Sequence, residues 1–120
     1  MPWELFDRRR APTTTEPRVT IQKTGVISFN LAARNALNDA DALLLFYDAE
    51  KRRAGFQKAK GTETEAYPLR RQQASNTYNI SGQKFCRYYQ IELGRTRRYK
   101  GVLDGKTLAI DIDSPTQELN

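Results

Sequence analysis

Residues 25–58 read GVISFNLAARNALNDADALLLFYDAEKRRAGFQK, and residues 78–113, YNISGQKFCRYYQIELGRTRRYKGVLDGKTLAIDID, follow the same plan. Placing Ile27-Ser28 on Ile80-Ser81, an offset of 53 residues, sets Ala33 on Cys86 and Arg34 on Arg87. Farther along, the turn Tyr47-Asp48-Ala49-Glu50-Lys51 meets Val102-Leu103-Asp104-Gly105-Lys106, each flanked by apolar runs. Both stretches predict strand, short helix, strand, tight turn, strand.

Several local signals mark these elements. In residues 18–23, RVTIQK, β-branched and polar residues alternate as in a half-buried strand, and Thr24-Gly25 turns the chain into a second strand, VISF. Asn30 is placed to cap a helix over residues 31–37, because its short side chain accepts from the exposed N–H groups of a first turn. The run ALLLFY at residues 42–47 is too short for an ordinary core helix and predicts a strand buried on both faces. An antiparallel return follows over residues 53–58. In the second half, Pro68 removes a ladder donor, so any strand there lies at an edge or is broken. Phe85, Tyr88 and Tyr89 fit one face of a helix over residues 83–91, with Gly94 closing it. Asp104-Gly105 is a strong hairpin signal.

The expected organisation is therefore an arm and linker over residues 1–17, one domain over residues 18–113 and a polar tail over residues 114–120. Within the domain, residues 18–60 and 66–113 are two β-β-α-β-β units. Units this small cannot each bury two faces, so they are expected to share one core around a pseudo-twofold axis in a barrel-like, α+β arrangement.

At 120 residues, with 38% hydrophobic and 28% charged residues, the chain has the make-up of a globular domain that buries about two thirds of its unfolded surface. No apolar run approaches the roughly 20 residues a spanning helix needs, and the opening segment MPWELFDRRR has no apolar signal core, so the chain is expected to be cytoplasmic and off the membrane. Trp3 and Phe6 are the apolar residues of special interest in the arm. They either dock back onto the body or anchor a protein partner.

Histidine is absent, which removes His-based acid–base catalysis, Ser-His and Cys-His nucleophile pairs and most zinc sites. Cys86 is the single cysteine, has no intramolecular disulfide partner, and sits in an apolar context that favours a small buried hydrophobe. Neither GVISFN nor SGQKF matches a phosphate loop or dinucleotide fingerprint. Asp111 and Asp113 share a strand face without further clustered ligands, which suits a solvated face better than a cation site. No cofactor or metal is expected. Twenty Lys and Arg against 14 acids give a net charge of +6, and an anion-binding face is the sharper reading of that excess. Tyr88, Tyr89 and Tyr99 interleave with Arg95, Arg97 and Arg98, a pattern suited both to single-stranded nucleic acid and to core tyrosines beside a wet loop.

Gly25, Asn30, Arg34, Leu37 and Asp48 stand at places where the plan resembles the swapped-hairpin domain of AbrB-type transition-state regulators and many antitoxins. In that family two chains interleave into one DNA-binding barrel, and this chain looks like both copies fused. Val26 stands where the family commonly has a basic residue. Along nearly its full length the chain also resembles a family of small uncharacterised bacterial proteins, through Trp3-Glu4-Leu5-Phe6, Val19-Thr20-Ile21-Gln22-Lys23, Leu45-Phe46-Tyr47-Asp48, Ala66-Tyr67-Pro68-Leu69-Arg70 and Ser81-Gly82-Gln83-Lys84-Phe85. The first expectation is a non-enzymatic interaction module, a fused AbrB-like pseudo-dimer that is itself a monomer or homodimer. The alternative is DNA binding, as an AbrB-like transcriptional regulator or antitoxin-like protein, with Arg34, Arg87, Arg52, Arg53, Arg97 and Arg98 on phosphates. An enzyme or small-ligand receptor is the third reading.

Overall fold

The alternation of Arg18, Val19, Thr20 and Ile21 sets the first strand, with Val19 and Ile21 buried and Arg18 exposed. This strand, β1 (Arg18–Ile21), leads through Gly25, whose φ of +92° only glycine adopts at no cost, into β2 (Val26–Phe29). Asn30 then caps α1 (Leu31–Ala36) as expected: its Oδ1 accepts from Ala33 N at 2.8 Å and from Arg18 N at 3.0 Å. One side chain thus starts the helix and ties it to β1. The chain continues as β3 (Ala42–Asp48), β4 (Arg53–Lys58), β5 (Tyr67–Pro68), β6 (Arg70–Gln72), β7 (Thr77–Ser81), α2 (Gln83–Tyr88), β8 (Thr96–Lys100), β9 (Val102–Asp104), β10 (Thr107–Asp111) and β11 (Gln117–Leu119). This computed structural model describes residues 2–5, 16–60, 62–72 and 76–119. Phe6 and Arg8-Arg9-Arg10 of the arm lie outside the described residues.

The strands form two antiparallel sheets, one in the order β11-β8-β1-β2-β7-β6 and one in the order β5-β3-β4-β10-β9. Between them lies one apolar core. Val19, Phe29, Leu43, Phe56, Tyr99 and Leu108 are all fully or almost fully buried within a single cluster. Phe29 from one sheet meets Phe56 from the other edge to face, with ring centroids 4.9 Å apart. The two helices, six residues each, follow β2 and β7 and cover ends of this core through Leu31, Ala33, Phe85 and Cys86.

The architecture is thus a mostly antiparallel α+β fold, and the expected closed barrel does not form. The chain passes from one sheet to the other four times, and at two of these crossings a single residue separates the strands, Leu69 between β5 and β6 and Gly101 between β8 and β9. At both, the residue still extends the ladder it is leaving, Leu69 N donating to Asp41 O and Gly101 N to Pro17 O, before the chain bends into the other sheet. The sheets keep separate edges, β11 and β6 bounding one and β5 and β9 the other.

Other differences are local. The apolar run of β3 is not buried on both faces, since Phe46 is 44% exposed on the outer side of its sheet. Gly94 does not end α2; the helix stops at Tyr88, and Gln90 takes the left-handed conformation at φ 58°. The polar segment after residue 113 includes β11, which pairs with β8 through Gln117, Glu118 and Leu119.

Candidate functional site

The six arginines named as phosphate contacts do not gather into one free basic face. Arg34 is largely covered: its Nε donates to Ala40 O at 3.1 Å, and its Nη2 donates to Asp39 O at 3.2 Å and to Asp41 Oδ1 at 3.1 Å. Its guanidinium also lies over the Tyr78 ring, 4.7 Å from the centroid. Arg52 donates from Nε to both carboxylate oxygens of Asp113, at 3.1 and 3.2 Å, and this hydrogen bond chiefly raises its pKa. Arg53 lies between Asp48 at 3.7 Å and Asp104 at 3.9 Å. Arg97, its side chain only 16% exposed, reaches Glu92 and Glu118, both at 3.4 Å. Arg98 donates to Gln117 Oε1 at 3.0 Å, and Arg87 is exposed on α2 without an ion pair among the described residues.

The acids show the other half of this pairing. Hydrogen bonds from Arg95 first, then from Arg97, hold the Glu118 carboxyl below its usual range. For Asp48 the chief cause of the same shift is the N–H of Lys51, helped by those of Glu50 and by Arg53. Four of the six arginines thus spend their charge on the protein's own carboxylates.

The aromatic residues divide too. Tyr99 is a core residue, its hydroxyl donating to Ile112 O at 3.3 Å, and burial pushes its pKa up to about 12. Cys86 is fully buried, and burial alone pushes its thiol up to about 11, which suits a packing residue. Tyr89 is stacked on Tyr47, with centroids 4.5 Å apart, and Tyr88 projects from α2 at 78% exposure.

Tyr88 and Tyr89 line a cavity of about 680 Å³, a volume within the usual range for ligand sites. Three elements build it. Leu44, Leu45 and Phe46 of β3 form one wall, Phe85, Tyr88, Tyr89 and Lys84 of α2 the second, and the connection from Glu63 to Tyr67 the third. The lining is aromatic and aliphatic, with Glu63 and Glu65 on one side and Lys84 on the other.

The β3 wall is also a sheet edge. β5 pairs only with Ala42 and Leu43 of β3. Ala59 N donates to Ala42 O, so the even-numbered residues of β3 turn their main-chain groups toward β4 and the odd-numbered ones turn theirs outward. On that outer side Leu69 N donates to Asp41 O and Leu43 faces Tyr67. Leu45 and Tyr47 come next, after β5 has ended, and their N–H and C=O groups point along an open edge beside the cavity.

Sequence reasoning assigned Tyr88 and Tyr89 to a helix face but did not join them to residues 44–46. The signal available was the combination of Pro68, which shortens the strand covering β3, with aromatic residues in excess of what one helix face buries.

No protein-family model matches the chain, no curated protein is significantly similar to it, and no solved structure gives a significant match. Among the described residues, no helix is long and apolar enough to cross a membrane, and no group of His, Cys, Asp and Glu side chains is arranged to hold a metal ion.

Proposed function

We propose that the chain is a non-enzymatic interaction module that takes up an extended peptide segment along the open edge of β3. The observation that carries this reading is the coincidence of unpaired main-chain groups at Leu45 and Tyr47 with an aromatic-lined cavity beside them. Strand addition works through these two features: main-chain hydrogen bonds supply affinity, and a pocket for alternate side chains supplies selectivity. Amide hydrogen exchange with a panel of extended peptides, aromatic at alternate positions, tests it. Binding peptides slow exchange at Leu45 and Tyr47. If no member slows exchange there, the reading fails.

The fused, AbrB-like duplication belongs to the same proposal. It is supported by the antiparallel pairing of β2 with β7, the second expected strand of each half, in the register Ile27 to Ile80. Both helices end alike: Asp39 N donates to Arg34 O and Ile91 N to Cys86 O, with left-handed Asn38 and Gln90 at matching places. That pattern repeats at an offset of 52 residues (90 − 38 and 86 − 34), which sets Cys86, not Arg87, opposite Arg34.

DNA binding is the second reading, and one observation favours it. Cross-strand neighbours Gln117, Arg98, Thr20, Ser28, Asn79 and Arg70 make a polar row on the outer face of the six-stranded sheet, with an arginine near each end. Fluorescence anisotropy with random duplex across a salt series separates the two readings.

A further inference from the structure

We infer that the segment taken up at the β3 edge is residues 2–5 of a second copy of this chain, so that two copies exchange arms. The inference rests on the peptide-capture reading above and names its occupant. Trp3 is 87% exposed and Leu5 94% exposed, while the aromatic cavity of the same chain stands open. A segment with two large apolar side chains and a cavity of matching chemistry are thus both unfilled in the single chain. Residues 2–5 form neither helix nor strand, and in an extended backbone Trp3 and Leu5 fall on one face, two residues apart, as alternate pockets along an edge require.

Charge points to the same occupant. Arg8-Arg9-Arg10 follow the apolar residues in the sequence, and Glu63 and Glu65 stand exposed on one side of the cavity. Length permits the exchange. From Leu5 to Arg18 are 13 residue steps (18 − 5). At about 3.3 Å each they span up to about 43 Å. That exceeds the two shorter dimensions of the molecule, 35 and 26 Å. Reciprocal exchange makes the same contact twice about a twofold axis, which closes the assembly as a dimer.

Trp3 is the sole tryptophan, so fluorescence excited beyond the absorption of the six tyrosines reports on this segment alone. Emission and sedimentation velocity are followed together over a dilution series. The expected result is blue-shifted emission in a dimer that moves red as the dimer dissociates. Trp3→Ala with Leu5→Ala weakens the dimer at least tenfold. Tyr88→Ala, at a side chain too exposed to support the fold, weakens it severalfold. Blue-shifted emission in a monomer at every concentration means the segment docks on its own chain, and overturns the exchange. So does emission typical of exposed tryptophan throughout, or a dimer whose affinity the double variant leaves unchanged.

A synthetic peptide of residues 2–10, added to the double variant alongside the peptide panel, separates this failure from that of the underlying reading. Protection of Leu45 and Tyr47 by other peptides but not by this one leaves peptide capture standing and removes only the occupant. Protection by none removes both.

Discussion

The guanidinium of Arg34 lies over the ring of Tyr78, its Cζ 4.7 Å from the centroid, so the end of α1 is fastened to β7 across the boundary between the two halves of the chain. The same side chain donates to the carbonyls of Ala40 and Asp39, in the turn that follows α1. Arg34 therefore spans a helix terminus, the turn after it and a strand from the other half. A phosphate contact would compete with all three.

Arg34→Lys is expected to lower stability by about 2 kcal/mol, because an ammonium cannot hold two carbonyls and stack on a ring at once. Urea unfolding of the two proteins measures this. The Asp41 side chain is 97% exposed and adds little, so the loss persists in 1 M salt, where surface ion pairs are screened. A loss that vanishes in high salt would assign the effect to the ion pair instead.

Gly25→Ala tests the junction between the first turn and α2. Gly25 sits at φ +92°, and a Cβ there would stand 2.8 Å from the Cα of Gln83, a backbone atom with no room to yield. Gly82 N meanwhile donates to Gly25 O at 3.0 Å. Strain and collision add, and the expected cost exceeds about 2 kcal/mol. Gly105→Ala is the control, since a Cβ at Gly105 meets nothing within 4 Å and only its φ of +62° is strained. Equal losses at the two sites would refute the close approach.

What was legible in the sequence was what local chemistry decides. Asn30 as a cap, Asp104-Gly105 as a hairpin and Pro68 as an edge residue each follow from one residue's donors, acceptors or backbone freedom. The run of β3 was legible as a strand but not as an edge. Continuous apolar letters do not say which face is covered, and Phe46 proves to face outward. Gly94 drew attention away from Gln90, where a side chain accepts the left-handed backbone that glycine takes more readily. The cavity was the least legible feature. It depends on where α2 comes to rest against residues 44–46, some 40 positions earlier in the chain, a placement set by the shared core rather than by either segment. The pairing of the arginines was hidden for the same reason, because Asp113 and Glu118 are remote in sequence from Arg52 and Arg97.

Alkali should loosen the core in a defined window. Burial raises Cys86 from 9.0 to about 11 and Tyr99 from 10.0 to about 12. Below about pH 9 both groups are protonated in folded and unfolded chains alike, so their contribution is fully present. Above it the unfolded chain releases protons that the folded chain retains. Stability therefore falls as pH rises toward 12, by on the order of 2 kcal/mol for each group. Urea midpoints at pH 8, 9.5 and 10.5 follow the decline. Cys86→Ala removes its earlier part and leaves the later, and a decline of unchanged shape in that variant would show that the thiol is not its source.

The arginine pairings also set how steeply DNA binding would depend on salt. Only Arg87 and Arg98, of the six candidates, lack a carboxylate partner among the described residues. Each phosphate neutralised contributes about −0.9 to the slope of log affinity against log salt, so two free arginines predict a slope near about −2 and weak binding to random duplex. A slope steeper than about −5 would mean that Arg34, Arg52, Arg53 and Arg97 leave their own acids for phosphate. The variants sharpen the distinction. Arg87→Ala and Arg98→Ala should each flatten the slope by about 1 with little change in stability, whereas Arg34→Ala should lower stability and leave the slope as it was. If Arg34→Ala flattened the slope as much as Arg87→Ala does, the hold of Arg34 on Ala40, Asp39 and Tyr78 would have to open on binding, and the second reading would displace the first.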